Sequence, residues 1–169
     1  MPPPDPERLF EQADALVSGG AAEQVHQTDL RRALSAAYYA LFHFTLTAAA
    51  DMVIGAGNRS TKRYELVYRS VDHSRLMTLC RQLSGSKPSS PIEPYAPSDG
   101  FGLVASFARL AGELHELRNF ADYDPLRDFT VDETRIAIGN AREAINCFNS
   151  GTDGQREAFL TLLLFKPRQ

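Results

Sequence analysis

Residues 101–124 read FGLVASFARLAGELHELRNFADYD, and their spacing decides the fold class. Leu103, Phe107, Leu110, Leu114, Leu117 and Ala121 recur in alternating steps of four and three. At 3.6 residues per turn such steps keep one face of an α-helix apolar along its length, whereas a strand needs alternation at every second residue. Asp124-Pro125 closes the segment, because a residue before proline is driven out of the α region.

The same reading extends in both directions. Downstream, Thr130-Val131-Asp132-Glu133 has the spacing of a capping box. It opens a helix with Ile138, Ala141, Ile145 and Phe148 inward. Gly151 and Gly154 flank a break before a short last helix carrying Phe159, Leu160, Leu163 and Leu164. Upstream, residues 84–100 hold four prolines and several serines, which predicts a long surface loop. Asn58 to Thr61 offers caps for a helix running to about Leu83, with Tyr64, Val67, Tyr68, Val71, Leu79 and Leu83 on its apolar side. Lys62, Arg69 and His73 stand at i, i+7 and i+11, roughly opposite. Before it, Thr28 or Asp29 caps a helix reaching about Ile54. That helix is apolar around most of its circumference, as expected of one packed on several sides. Asp5-Pro6 opens a first short helix that Gly19-Gly20 stops. No strand pattern, repeat or linker interrupts the series. The expectation is one all-α domain over residues 1–169, an antiparallel up-and-down four-helix bundle with additional short helices. Tyr38, Leu41, Leu110, Leu114, Leu117, Ile138 and Ile145 are its expected core.

Composition fits a soluble globular chain: 169 residues, 43% hydrophobic and 23% charged. No purely apolar run approaches the ~18 residues a membrane span needs, and the N-terminus lacks a secretory pattern. Cys80 and Cys147 have no metal-ligand spacing and read as reduced thiols. The expected location is therefore cytoplasmic, with no membrane contact. Net charge is −3, unlike a protein that coats nucleic acid without selectivity. Residues 59–87, however, carry seven cations against two acids, a net +5, so the remainder of the chain carries −8. A basic face on the third expected helix is compatible with phosphate contacts and equally with an ordinary solvated surface.

Several chemistries are excluded by pattern. There is no glycine-rich phosphate loop after a strand, no His-Glu-x-x-His, no paired Glu-x-x-His and no Gly-x-Ser-x-Gly. No metal and no cofactor is expected. The informative stretch is the end of the helix described first. At 100° per residue, His115, Arg118 and Asp122 fall within about 60° of one another at the border of the apolar face. An arginine beside a histidine at such a border can hold an anion such as a phosphate. Periodicity alone reads Arg118 and Asp122 equally well as an i,i+4 ion pair.

Two segments carry a family resemblance. Residues 31–43, RRALSAAYYALFH, and residues 118–124, RNFADYD, resemble the two signature helices of small prokaryotic HEPN-domain proteins (higher eukaryote and prokaryote nucleotide-binding). Thr130 to Phe148 is similar to that family's closing helix, so the resemblance spans about residues 29–148. It implies an up-and-down bundle that forms a homodimer. It also implies a nucleic-acid-linked role: many of these proteins are metal-independent endoribonucleases of toxin–antitoxin, defence or RNA-processing systems. Their motif is an arginine followed after four to six residues by a histidine. The arginine stabilises the phosphorane charge and the histidine moves the proton.

Carried onto this chain, the arginine is Arg118. The positions for the histidine hold Tyr123, Asp124 and Pro125, so the family's general base is missing. The candidates for catalysis are thus Arg118, His115 and Tyr123, and those for binding are Asn119, Asp122, Tyr39, His43, Lys62, Arg69 and His73. Expected partners are a second copy of the chain, RNA or a nucleotide, and a nucleotidyltransferase-like antitoxin. The alternative is a non-enzymatic dimer that serves as a protein-interaction or nucleotide-binding module. Tyr38 is read as a core aromatic with a satisfied hydroxyl.

Overall fold

A computed structural model describes residues 3–19, 25–85 and 87–167. Among them are seven α-helices and no strand, so the all-α expectation holds. The helices are α1 (Pro6–Ser18), α2 (Gln27–Ile54), α3 (Lys62–Tyr68), α4 (His73–Leu83), α5 (Gly102–Tyr123), α6 (Val131–Ser150) and α7 (Asp153–Leu164). Short 3-10 turns occupy Ala56–Asn58 and Glu93–Tyr95, the second inside the proline-rich segment.

α2 is the central element and packs against α1, α3, α5, α6 and α7. Its burial explains its composition: Leu30, Leu34, Ala37, Tyr38, Leu41 and Ala50 are fully or almost fully enclosed although they lie on different sides of the helix. By length and composition α2 is apolar enough to cross a membrane, contrary to the run-length reading. Half of its most apolar stretch is enclosed by the other helices. α5 packs on α2, α4, α6 and α7. Phe107 of α5, Phe148 of α6 and Phe159 of α7 meet edge to face with centroids 5.2–5.9 Å apart, the geometry aromatic quadrupoles favour.

The ends of the helices follow local chemistry, with corrections. Asp5 caps α1 by accepting from Glu7 N at 3.0 Å, with Pro6 in the first turn. Gly19 ends that helix at φ 58°; Gly20 lies outside the described residues. α2 starts at Gln27 behind His26, and Thr28 and Asp29 stand inside it. The Gln27 amide explains the earlier start. It donates to Phe129 O at 2.6 Å and accepts from Phe129 N at 2.9 Å, which fixes the first turn. The expected third helix is two helices. Arg69 ends α3, Val71 is buried, and Asp72 caps α4 by accepting from Arg75 N at 2.7 Å. At Thr130 only half of the expected capping box forms: its hydroxyl accepts from Glu133 N, while the Glu133 carboxylate pairs with Arg127 at 2.5 Å. A complete box stands instead at Thr152 and Gln155, opening α7, so Gly154 lies within a helix and the break falls at Gly151.

Of the expected core, Tyr38, Leu41, Leu110, Leu114 and Ile138 are buried. Leu117 and Ile145 pack against the core but are only partly covered. Leu103, the first residue of the α5 apolar series, is 45% exposed and replaced inward by Val104.

Candidate functional site

Arg118 sits one turn before the end of α5, where α5 crosses α2 and faces α4. Its side chain is 14% exposed. Nε lies 2.7 Å from Asp122 Oδ2, but the Nε–H is not aimed at that oxygen, so charge rather than a directed hydrogen bond holds the contact. Asp122 is anchored from the other side, its Oδ1 accepting from Ser35 Oγ at 2.6 Å. The terminal nitrogens of Arg118 donate to Tyr39 Oη and to Asn119 Oδ1, each at 3.3 Å. The guanidinium carbon also lies 5.5–5.8 Å from the ring centroids of Tyr38, Tyr39 and Tyr123, within cation–π range.

Three histidines from three helices converge on the same aromatic group. His73, the first residue of α4, stacks on Phe42 with centroids 3.9 Å apart, and its Nδ1 lies 2.8 Å from Tyr38 Oη. His115 of α5 lies 5.4 Å from the Tyr38 ring and contacts the Asn119 amide nitrogen at 3.3 Å. His43 of α2 stacks beside Tyr39 and is bonded through Nδ1 to Tyr68 Oη at 2.6 Å. Partial burial lowers the pKa of all three. The Arg118 charge lowers His73 and His115 further, and His73 does the same to His43. At neutral pH the imidazoles are therefore uncharged, and Arg118 stands among them paired with the Asp122 carboxylate. Burial also raises Tyr38 and Tyr68, the latter pushed up to about 12, so these two remain protonated donors.

Of the residues singled out by sequence, Arg118, His115, Tyr123, Asn119, Asp122, Tyr39, His43 and His73 share this cluster. Tyr123 contributes only its ring, at 73% exposure. The break at residues 69–72 detaches His73 from the basic stripe and turns it inward. Lys62 and Arg69 stay on α3 and bond Glu65 at 2.6 and 3.4 Å. They line a separate cleft of about 420 Å³ with Pro3, Pro4, Arg59 and Tyr64. Tyr68 belongs to that cleft and, through His43, to the Arg118 cluster.

Sequence reasoning did not assign Ser35, Phe42, Tyr68 or Arg31 to the site. Arg31, Ser35, Tyr38, Tyr39, Phe42 and His43 recur at helical spacing along α2, and a polar series inside so apolar a helix is the signal that points to them. Arg31 supports the site from behind: it donates to the carbonyls of Ala121 and Asp124 at 2.7 and 2.9 Å, closing the C-terminal turn that bears Asp122.

Among the described residues no group of three or more His, Cys, Asp or Glu side chains is arranged to hold a metal. The chain matches no protein-family model, no curated protein and no solved structure.

Proposed function

We propose that the protein is a HEPN-like up-and-down helical bundle of the cytoplasm that acts as a homodimer and contacts RNA phosphate through Arg118. The observation that carries this reading is the concentration of Arg118, three neutral histidines and two tyrosines in one half-covered cluster. A guanidinium whose charge Asp122 partly offsets, with uncharged donors around it, suits a monoanionic phosphodiester. Several cations would suit a more highly charged ligand. The RRALSAAYYALFH and RNFADYD segments supply the two walls of the cluster, which ties the resemblance to the same residues.

For a role in RNA cleavage, of the kind used by toxin or defence nucleases, the cluster offers His115 as a proton acceptor in place of the missing downstream histidine. Its lowered pKa keeps it unprotonated at neutral pH, as a base requires. Dimerisation is favoured by Phe120, Tyr123 and Leu126 at the end of α5 and in the turn after it, which expose 42%, 73% and 91% of their surface. The same apolar trio favours a second reading, a non-enzymatic dimer that holds a protein partner such as a nucleotidyltransferase-like antitoxin.

Fluorescence anisotropy with a labelled single-stranded RNA tests the proposal. Binding should weaken steeply with salt and be lost in Arg118→Ala. Cleavage of the same RNA, if it accompanies binding, should persist in EDTA and depend on His115. Equal binding by wild type and Arg118→Ala would remove the RNA reading and leave the protein-interaction module. Light scattering that gives only monomer at micromolar concentration would remove the dimer.

A further inference from the structure

The Tyr38–His73 contact constrains which imidazole nitrogen carries the proton. Tyr38 is fully buried, and a buried phenol must place its O–H on an acceptor. Among the described residues its hydroxyl has one hydrogen-bond partner, His73 Nδ1 at 2.8 Å. The phenol must therefore donate, Nδ1 must accept, and the ring proton of neutral His73 must sit on Nε2. The Tyr68–His43 pair imposes no such order, because Tyr68 is only partly covered and its hydroxyl can turn to water. Nε2 of His73 has no hydrogen-bond partner among the described residues, and His73 shares the Tyr38 and Tyr39 rings as neighbours with Arg118.

We infer that Tyr38 is a positioning residue that fixes His73 as a neutral Nε2–H donor, and that His73 and Arg118 together contact the oxygens of one phosphodiester. The ligand named here rests on the function proposed above; the proton placement does not. Burial holds the phenol protonated, and burial with the Arg118 charge keeps His73 uncharged, so the donor state persists at neutral pH. A neutral donor beside Arg118 adds a hydrogen bond without a second charge to desolvate. His73 thus has its acceptor nitrogen committed to Tyr38 and its donor nitrogen turned to a ligand.

The experiment has two readouts on the full chain. Imidazole nitrogen NMR of the free protein at neutral pH should show His73 Nδ1 as unprotonated and Nε2 as protonated. Tyr38→Phe, which keeps the ring and the packing, should convert this to a mixture. A protonated Nδ1 in wild type, or a spectrum unmoved by Tyr38→Phe, overturns the assignment. In RNA anisotropy, His73→Ala should lose about 10-fold or more, while His73→Gln, which retains an N–H donor, should keep most of the affinity. Tyr38→Phe should lose a smaller factor, with the melting temperature lowered by no more than about a few degrees. If His73→Ala binds as wild type does while Arg118→Ala does not, the donor role is wrong and the Arg118 site stands. If wild type binds no RNA, the phosphate contact falls with the proposed function, and the spectrum alone decides the tautomer.

Discussion

Arg31 Nη1 donates to Ala121 O at 2.7 Å, joining the first turns of the longest helix to the end of the second longest. Its guanidinium also reaches the carbonyls of Asp124 and Arg127, so one side chain satisfies acceptors that the end of α5 and the following turn leave open. A cation at a helix C-terminus is favoured by the helix dipole as well. Arg31→Ala should therefore cost about 2 kcal/mol, the range for hydrogen bonds to a charged group. Arg31→Lys should recover little of it, because an ammonium cannot reproduce the fork. Urea titration of the three proteins gives the comparison; equal midpoints would mean that water serves these carbonyls as well as Arg31 does.

Much of the helical content was legible because apolar spacing and caps agree. α5 announces itself through its steps of four and three, and Asp5 and Pro6 mark the start of α1 at the correct residue. What was not legible depends on partners far away in sequence. The start of α2 is set by Gln27 gripping Phe129, a contact across 102 residues that no local pattern encodes. The division between α3 and α4 is signalled only by Asp72, which the wider i, i+7 spacing of Lys62 and Arg69 obscured. The cluster was half readable for the same reason. His115, Arg118 and Asp122 share one helix face, but the place of His73 depends on how α4 returns onto α2.

Leu114 is 2% exposed and stands in the middle of the α5 seam. Leu114→Ala should destabilise the protein by ~2–5 kcal/mol, combining lost apolar transfer with an unfilled cavity. Leu117→Ala should cost less, since Leu117 is only partly covered. Chemical denaturation of both variants checks the order, and a larger loss at Leu117 would place the core edge elsewhere or bury that residue in a dimer.

His43, His73 and His115 titrate below their ordinary value in the folded protein, first through burial and then through neighbouring positive charge. The unfolded chain, with histidines near ~6.5, thus binds more protons than the folded chain between the lowered values and ~6.5. Their contribution to stability is complete above ~6.5 and is lost as pH falls through that window. Facing groups set the size of the effect: Arg118 and Arg81 oppose protonation, while Asp72 and Glu116 favour it. The melting temperature should fall between pH 7 and pH 5, and His73→Gln should make the fall shallower. An equal slope in that variant would mean that His73 protonates without cost to the fold.

Asp122 occupies the position that a phosphate oxygen would take. Its carboxylate sits 2.7 Å from Arg118 Nε and is held there by Ser35 at 2.6 Å, so any anion approaching Arg118 meets a negative charge already in place. Asp122→Asn keeps an oxygen for the Ser35 hydroxyl and removes the charge. Even at the dielectric of bulk water, one like charge about 4 Å from a phosphate is worth about 1 kcal/mol, so RNA affinity should rise at least about five-fold. The gain should shrink at high salt, as a charge effect must. The opposite result, weaker binding in Asp122→Asn, would make the carboxylate the group that aims Arg118 at its ligand. Anisotropy on wild type, Asp122→Asn, Ser35→Ala and Arg118→Ala separates these cases. Ser35→Ala should follow Asp122→Asn in direction if the carboxylate only competes, because a released Asp122 can swing into solvent and leave Arg118 open.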